Sequence, residues 1–500
     1  MGLKSIIARP AAHLIRQKIK GDAANAIKTQ EKIFQKLIKK GSDTTFGKDH
    51  HFESINTYED FKSLIPVRDY EALKTYFDQT ALGEEDILWP GKPRYLAKTS
   101  GTTSGAKYIP ITSDSLPNHF GTARNAVFNY AAQTGNFDFM DGKMIFLSGS
   151  PELEIKNGIH VGRLSGISNH LIPNWLKRNQ MPSYETNIIE EWEEKLEKIV
   201  EETLKEDMRL ISGIPPWVQM YFERLLEKTG ANTVLEVFPK FSVFVFGGVN
   251  YEPYRETMEN LIGGSVSSVE TYPASEGFIA FQDKTEDPGL LLNTNSGIFY
   301  EFIPLREVGS ENPTRLMLSQ IEPDVDYAVV LSSNAGLWAY DLGDTVRFLS
   351  TEPYRLVVSG RIKNYISAFG EHVIGKEVEE ALLNVTKQIA TTSVIEFTVA
   401  PQVKPPEGGT PYHEWFIEFE TEPDDMTQFA AKLDKEMVEQ NIYYKDLIEG
   451  KILRPLKITS MQKDAFRNFM KSRGKLGGQN KVPRLSNDRK IADELQGFVK

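Results

Sequence analysis

Residues 98–107 read Lys-Thr-Ser-Gly-Thr-Thr-Ser-Gly-Ala-Lys, and more of the fold follows from this stretch than from any other. It concentrates glycines and small hydroxylated residues, then ends on Lys107, which leads directly into the apolar, strand-like residues 108–111. Glycine lets a backbone approach an anion closely, hydroxyls and amides donate to phosphate oxygens, and lysine supplies charge. The stretch is not a P-loop, because Gly105-Ala106 precede Lys107 and Tyr108 stands where Ser or Thr would follow. A flexible surface loop has the same composition. A Gly-Ser linker, however, has no need of a lysine running straight into a strand.

Outward from this segment, helical spacing dominates to about Lys40, and an amphipathic helix is expected within residues 1–21. Short apolar segments with Gly and Pro punctuation begin near Tyr95, and strands then alternate with helices. Buried strands are predicted at 145–147 and 241–246, and an acidic amphipathic helix at 188–205. A strand at 208–212 enters Gly213-Ile214-Pro215-Pro216-Trp217, where proline suits the first turn of a helix. Further strands are expected at 265–271, 298–303, 327–332 and 345–349. Past Gly360, residues 361–370 read as a connector, 376–383 as a helix, 393–400 and 415–419 as strands, and 426–440 as a helix. This is α/β patterning with strands enough for several sheets flanked by helices. The division expected is a large domain over 1–363 and a smaller α+β domain over 364–500.

Composition removes several classes of function. The chain has 500 residues, 40% hydrophobic and 25% charged, which suits an ordinary folded protein with a second domain. No apolar run approaches the ~20 residues that span a bilayer, so neither membrane insertion nor a secretory leader is expected. Cysteine is absent, which excludes disulfides, thiolate zinc sites and a cysteine nucleophile, and a cytoplasmic location is the default expectation. A net charge of -11 argues against nucleic acid as a partner. The charge is uneven, with twelve Lys or Arg against Asp464 and Asp488 within residues 451–490. That run is either a solvated helix face or a polyphosphate contact.

Three later segments carry further chemistry. They are Thr271-Tyr272-Pro273-Ala274-Ser275-Glu276-Gly277, then Gly336 to Phe348 with Tyr340-Asp341-Leu342-Gly343-Asp344, then Gly360-Arg361 leading to Phe369-Gly370-Glu371. Near the end stands Gly477-Gly478-Gln479-Asn480-Lys481-Val482-Pro483-Arg484. Together with 98–107, and in this order, these segments resemble the signatures of the adenylate-forming acyl ligases, closest in form to the auxin-responsive acyl acid amido synthetases. The resemblance covers roughly residues 98–484. It implies a large ligase domain and a smaller terminal domain that rotates between an adenylation and a transfer step.

The residues suit that chemistry. Attack of a carboxylate on the α-phosphorus of ATP moves charge onto departing pyrophosphate, which cations and oriented donors must meet. Ser100, Gly101, Thr102, Thr103, Ser104 and Lys107 are placed for this. Glu276, in a short Gly-bounded turn after a strand, is a suitable oxygen ligand for Mg2+; an exposed loop glutamate is the alternative. Ser275 shares that turn, and Tyr272 is a candidate to stack on adenine, although a tyrosine at a strand end is commonly core. Gly247 and Gly248 either give adenine or the acyl group close approach or form a tight turn. Asp344 is the candidate for the ribose hydroxyls, although Gly-Asp after a strand is otherwise a turn signal. The family motif carries arginine where Asp341 stands, which alters local charge. Arg361 and Lys363 sit where the related ligases change domain and could serve ribose, phosphate or hinge. Lys481 is implied to reach the carboxylate and α-phosphate in the first step alone.

Other chemistries lack their motifs: there is no Gly-x-Ser-x-Gly elbow, no His-Glu-x-x-His and no Gly-x-Gly-x-x-Gly. The expected function is ATP-dependent formation of an acyl-AMP followed by transfer to an amine. An acyl-CoA ligase and a noncatalytic nucleotide-binding regulator remain as alternatives. ATP, Mg2+, a small carboxylic acid and an amine or coenzyme A are the expected ligands, and a monomer or weak dimer the expected state.

Overall fold

The helical spacing at the amino end becomes two helices, Leu3–Ala24 and Ala26–Gly41. The second buries Ile33, Phe34, Leu37 and Ile38 on one stripe, as the 3.6-residue period requires. Phe34 meets Phe61 at 5.4 Å and Phe299 at 4.9 Å between ring centroids, so the helix is fixed by aromatic packing onto the sheet. These coordinates come from a computed structural model, which describes the chain outside residues 1, 103–104, 173–176, 190–191, 249–250, 286, 288, 311, 362–364, 367, 370, 372, 390, 404, 407, 452, 474–481 and 487.

The chain divides into two compact units, one of residues 1–342 and 346–357, the other of 343–345 and 358–500. Strands β1 (Tyr95–Thr102), β2 (Gly105–Ile111), β3 (Lys143–Phe146), β4 (Glu154–Lys156), β5 (Ile159–Gly162), β6 (Gln180–Met181), β7 (Met208–Ser212) and β8 (Val243–Gly247) come first. They are followed by β9 (Ser267–Pro273), β10 (Phe278–Gln282), β11 (Leu290–Leu292), β12 (Ile298–Pro304), β13 (Leu316–Met317), β14 (Asp326–Ser333), β15 (Leu337–Thr351) and β16 (Tyr354–Arg361). A four-stranded sheet has the order β2-β1-β5-β4, and a twelve-stranded sheet the order β13-β12-β14-β15-β16-β11-β10-β9-β8-β7-β3-β6.

Within the larger sheet β6, β3, β7, β8 and β9 are parallel neighbours. Helices Pro215–Thr229 and Glu252–Ile262 make the crossovers that parallel pairing needs. Both faces of these strands are covered. Phe244 and Phe246 join a core with Ile145, Ile211 and Tyr221, while Val243 and Val245 join another with Met144, Leu210 and Tyr130, the period-two alternation of a strand between two helical layers. Five carboxyl ends are thereby brought to one edge of the sheet, where open α/β folds bind ligands.

The second unit contains β17 (Tyr365–Ile366), β18 (Val373–Ile374), β19 (Ser393–Gln402), β20 (Tyr412–Thr421) and β21 (Lys457–Ser460), the last three in one sheet. Helices Gly375–Gln388 and Met426–Gln440 pack on it around Trp415, Phe397 and Phe429. Among the described residues, no helix is long and apolar enough to cross a membrane.

Four local expectations need adjustment. The acidic helix is shorter than 188–205, running Trp192–Thr203. Residues 98–102 and 105–107 are not a free loop but the facing arms of β1 and β2, with Thr99 opposite Lys107 and a register shift before Thr102 meets Gly105. Gly343-Asp344 does not end a strand, since β15 runs through it; Gly343 at φ +80° bends the strand in a region other residues avoid. The connector expected at 361–370 begins as the last residue of β16 and includes β17.

Candidate active site

Lys107 and Glu276, 169 positions apart in sequence (276 − 107), are brought together in the first unit through a third residue, Tyr340. The Tyr340 hydroxyl donates to Glu276 Oε1 at 3.2 Å, and Lys107 Nζ lies 3.5 Å from the same hydroxyl. Tyr340 is fully buried, and burial together with the Glu276 carboxylate pushes its hydroxyl well above the ordinary tyrosine range. It therefore stays protonated and serves as a fixed donor between a cation and a carboxylate.

Each partner is held by its own element. Lys107 leaves β2, whose next residue, Tyr108, donates its backbone N–H to the buried Tyr70 hydroxyl at 3.1 Å. Tyr70 stacks on Phe77 at 4.6 Å, and Lys107 Nζ sits 5.7 Å above the Tyr70 ring. Glu276 stands in the β9–β10 turn, closed by reciprocal bonds between the backbones of Ala274 and Gly277 at 3.0 and 3.2 Å. The buried side chain of Asn118 accepts from Phe278 N at 2.7 Å and donates to Phe278 O at 3.1 Å, which pins the strand leaving that turn. Tyr340 is bridged to Arg68, whose N–H donates to Ala339 O at 3.1 Å and whose carbonyl accepts from Asp341 N at 2.9 Å. The aspartate that replaces the family's arginine is thus tied by backbone to another arginine. Tyr70, Asn118 and Tyr340 were given no role by the sequence. Only Tyr340 carried a signal, its place in the Tyr340–Asp344 phrase.

Gly247 ends β8 opposite Thr271 of β9, and a Cβ on Gly247 would meet Thr271 O at 2.3 Å, so the close approach here is between strands. Gly248 follows at φ +76°. Tyr272 is 6% exposed, within β9, and Ser275 is half-buried in the turn. Asp344 is buried in β15 and belongs to the second unit, as does Arg361 at the end of β16. The side chains of Ser100, Gly101, Thr102 and Arg361, and all of Thr103, Ser104, Lys363 and Lys481, lie outside the described residues.

In the second unit, the Glu371 carboxylate accepts from Phe369 N–H at 2.8 Å and meets His413 Nε2 at 2.8 Å, both side chains buried. The residues just after Lys481 run along β19. Val399 N donates to Arg484 O and Ser486 N to Val399 O, each at 2.9 Å, and Arg484 pairs with Glu379 and Glu396. Arg473, Arg489 and Lys490 likewise pair with Glu494, Glu414 and Asp488, so acids of this unit neutralise part of the basic run.

Among the described residues no cluster of three or more His, Cys, Asp or Glu could hold a metal ion. The Glu276 carboxylate beside a fixed hydroxyl suits instead a Mg2+ that would bring its remaining oxygen ligands from nucleotide phosphates and water. Glu276 would be the protein's contribution.

Comparison with known proteins bears on the family and the fold. The GH3 family N-terminal domain model matches residues 15–170 and 164–267, the central domain model 291–361 and the C-terminal domain model 376–490. The chain is 22% identical to the indole-3-acetic acid-amido synthetase GH3.4 of Arabidopsis thaliana, over 92% of this chain and 89% of that protein. It is 21% identical to the jasmonoyl–L-amino acid synthetase JAR4 of Nicotiana attenuata, over 65% of this chain and 67% of that protein. Its fold matches that of the GH3.15 acyl acid amido synthetase with a TM-score of 0.80 at 16% identity, covering 98% of this chain and 96% of that one. A 2-hydroxyisobutyryl-CoA ligase shares the fold more distantly, with a TM-score of 0.55 at 12% identity over 96% and 92% of the two chains. This chain belongs to the GH3 family and has the fold of the adenylate-forming ligases.

Proposed function

We propose that this protein activates a small carboxylic acid with ATP and transfers the acyl group to an amine, most simply that of an amino acid. The observation that carries the reading is the convergence of Lys107, Tyr340 and Glu276, three residues from separate motifs, at the carboxyl edge of the parallel strands. In the first half-reaction a carboxylate oxygen bonds to the α-phosphorus while the bond to the bridging oxygen breaks, and pyrophosphate departs. Lys107 meets the charge that develops on the phosphates, with the hydroxylated residues of 99–104 as further donors. Tyr340 keeps Lys107 and Glu276 in register, and Glu276 would hold a Mg2+ that, when bound, supplies charge to neutralise the leaving group. In the second half-reaction the amine nitrogen bonds to the acyl carbon, AMP leaves with the former carboxylate oxygen, and the amine proton passes to solvent. Asp344 would hold the ribose hydroxyls, and Lys481, carried by the second unit, would serve adenylation alone.

An amine acceptor is favoured over coenzyme A because the matched family's named members are amido synthetases. The neutralisation of Arg473, Arg489 and Lys490 by acids of their own unit also reduces the cationic surface on offer to a nucleotide-bearing thiol. The test supplies an accepted acid, ATP and Mg2+ with either coenzyme A or a panel of amino acids and identifies products by mass. Amide formation is expected. Acyl-CoA without any amide would reject the amine while leaving adenylation in place.

A further inference from the structure

The parallel edge that carries Glu276 beyond β9 ends, three strands further along the sheet order, in a group of buried cationic and polar residues that adenylation leaves unused. Lys195, on helix Trp192–Thr203, is 3% exposed and donates to the carbonyl of Ser148, just beyond β3, at 3.1 Å and to that of Asn187 at 2.6 Å. Arg163 lies close by, immediately before helix Leu164–Leu171. A Cβ on Gly149 would stand 2.7 Å from Arg163 Nη1, so glycine there leaves room for the guanidinium. Burial, and next the Arg163 charge, lower the Lys195 ammonium to about 8. Among the described residues no carboxylate pairs with either cation.

The surroundings are polar atoms without partners. Both amide atoms of Asn187, the indole nitrogen of Trp192 and the hydroxyl of Ser165 are buried and form no hydrogen bond. Trp192 lies one helical turn before Lys195, so both share a helix face. Buried cations and orphaned donors each cost stability, and a native fold that keeps them together at its ligand edge keeps them for a ligand.

We propose that Lys195 and Arg163 bind a second anionic group, a carboxylate, at the distal end of the acid that the enzyme activates. This rests on the adenylation reading and names the class of acid. Three strand spacings separate the end of β9 from that of β3, roughly 14 Å, which an extended chain spans in about a dozen bonds. The cluster is bordered by Trp217, which packs on Trp192 at 5.0 Å, so an apolar wall adjoins the distal anion. The α-carboxylate of an acceptor amino acid is tied too closely to the attacking nitrogen to reach this far.

The test is acid-dependent ATP–pyrophosphate exchange over paired monocarboxylic and α,ω-dicarboxylic acids of six to fourteen carbons, for the wild type, Arg163→Gln and Lys195→Met. The full-length protein is used, and no acceptor is present. The wild type should prefer the longer diacids over monoacids of equal length by about tenfold or more in kcat/KM, the worth of a charged hydrogen bond. That ratio should fall toward one in Arg163→Gln, whose half-buried side chain can be shortened without emptying a core. Thermal shifts by dodecanedioate against dodecanoate should show the same order without turnover. Monoacids activated as well as diacids by the wild type, or a ratio unchanged in Arg163→Gln, would each overturn the inference while leaving adenylation standing. Exchange with no acid at all would remove the underlying reading and the inference together.

Discussion

The two sides of the parallel edge differ in charge and in how the chain assembles them. Beyond β9, Glu276 takes its hydrogen bond from Tyr340 and lies within two contacts of Lys107, all three in motifs the sequence displays. Beyond β3, Lys195 on its helix and Arg163 just before another belong to no motif, and Lys195 donates to the carbonyls of Ser148 and Asn187, whose side-chain amide has no partner. On the proposed reading, the first side serves chemistry common to every acid the enzyme activates. The second, on the same reading, serves whatever distinguishes one acid from another. Reaction type is therefore legible in short segments, while substrate choice depends on contacts made only by the fold.

A buried pair elsewhere in the same unit supplies the contrast that makes this testable. Glu301 accepts from Arg315 Nε at 2.8 Å and Nη2 at 2.9 Å and from the Tyr58 hydroxyl at 2.9 Å, a fully matched and structural arrangement. Arg315→Ala should cost about 3–5 kcal/mol in denaturant unfolding, because it strands a buried carboxylate. Glu276→Gln should do the reverse, lowering pyrophosphate exchange on the order of a hundredfold with little change in unfolding midpoint. If both variants lost stability alike, Glu276 would be a structural residue like Glu301.

Lys481→Ala sharpens the division of labour between steps. Acyl-adenylate formation should fall by roughly a hundredfold, while transfer from supplied acyl-adenylate stays close to wild type, since a cation needed only where charge develops stabilises only that transition state. Equal loss in both half-reactions would make it a general binding residue. Tyr340→Phe should cost about tenfold in exchange, the effect of one hydrogen bond to a charged group. Rates unaffected by that change would separate Lys107 from Glu276.

A pH dependence belongs to Lys195. Its folded value of about 8 lies below the ordinary 10.5, so between these pH values the unfolded chain holds a proton that the folded one has shed. Stability of the wild type relative to Lys195→Met should therefore rise with pH across that window, by up to about 1.4 kcal/mol per unit, and be flat below it. Preference for diacids should weaken over the same rise, as the ammonium discharges. A relative stability flat from pH 7 to 11 would place Lys195 in an ordinary environment.

Much of the fold was readable where a period was strong. The strand Met208–Ser212 and the helix Met426–Gln440 have the bounds the sequence predicted, because a proline-led helix start follows one and an Asp425 cap precedes the other. The reading failed at Gly343-Asp344, where a positive φ inside a long strand looks the same in sequence as a turn. The clamp of Asn118 on Phe278 and the support of Lys107 by Tyr70 were not readable at all, since each joins segments that only the tertiary fold brings together.

The central claim is acid activation by adenylation, and ATP–pyrophosphate exchange tests it most directly. With Mg2+, ATP, labelled pyrophosphate and a broad panel of carboxylic acids, the account predicts exchange that depends on the acid, disappears without Mg2+ and is lost in Glu276→Gln. Exchange that ran equally well without any acid, or none with any acid while nucleotide still bound, would contradict it.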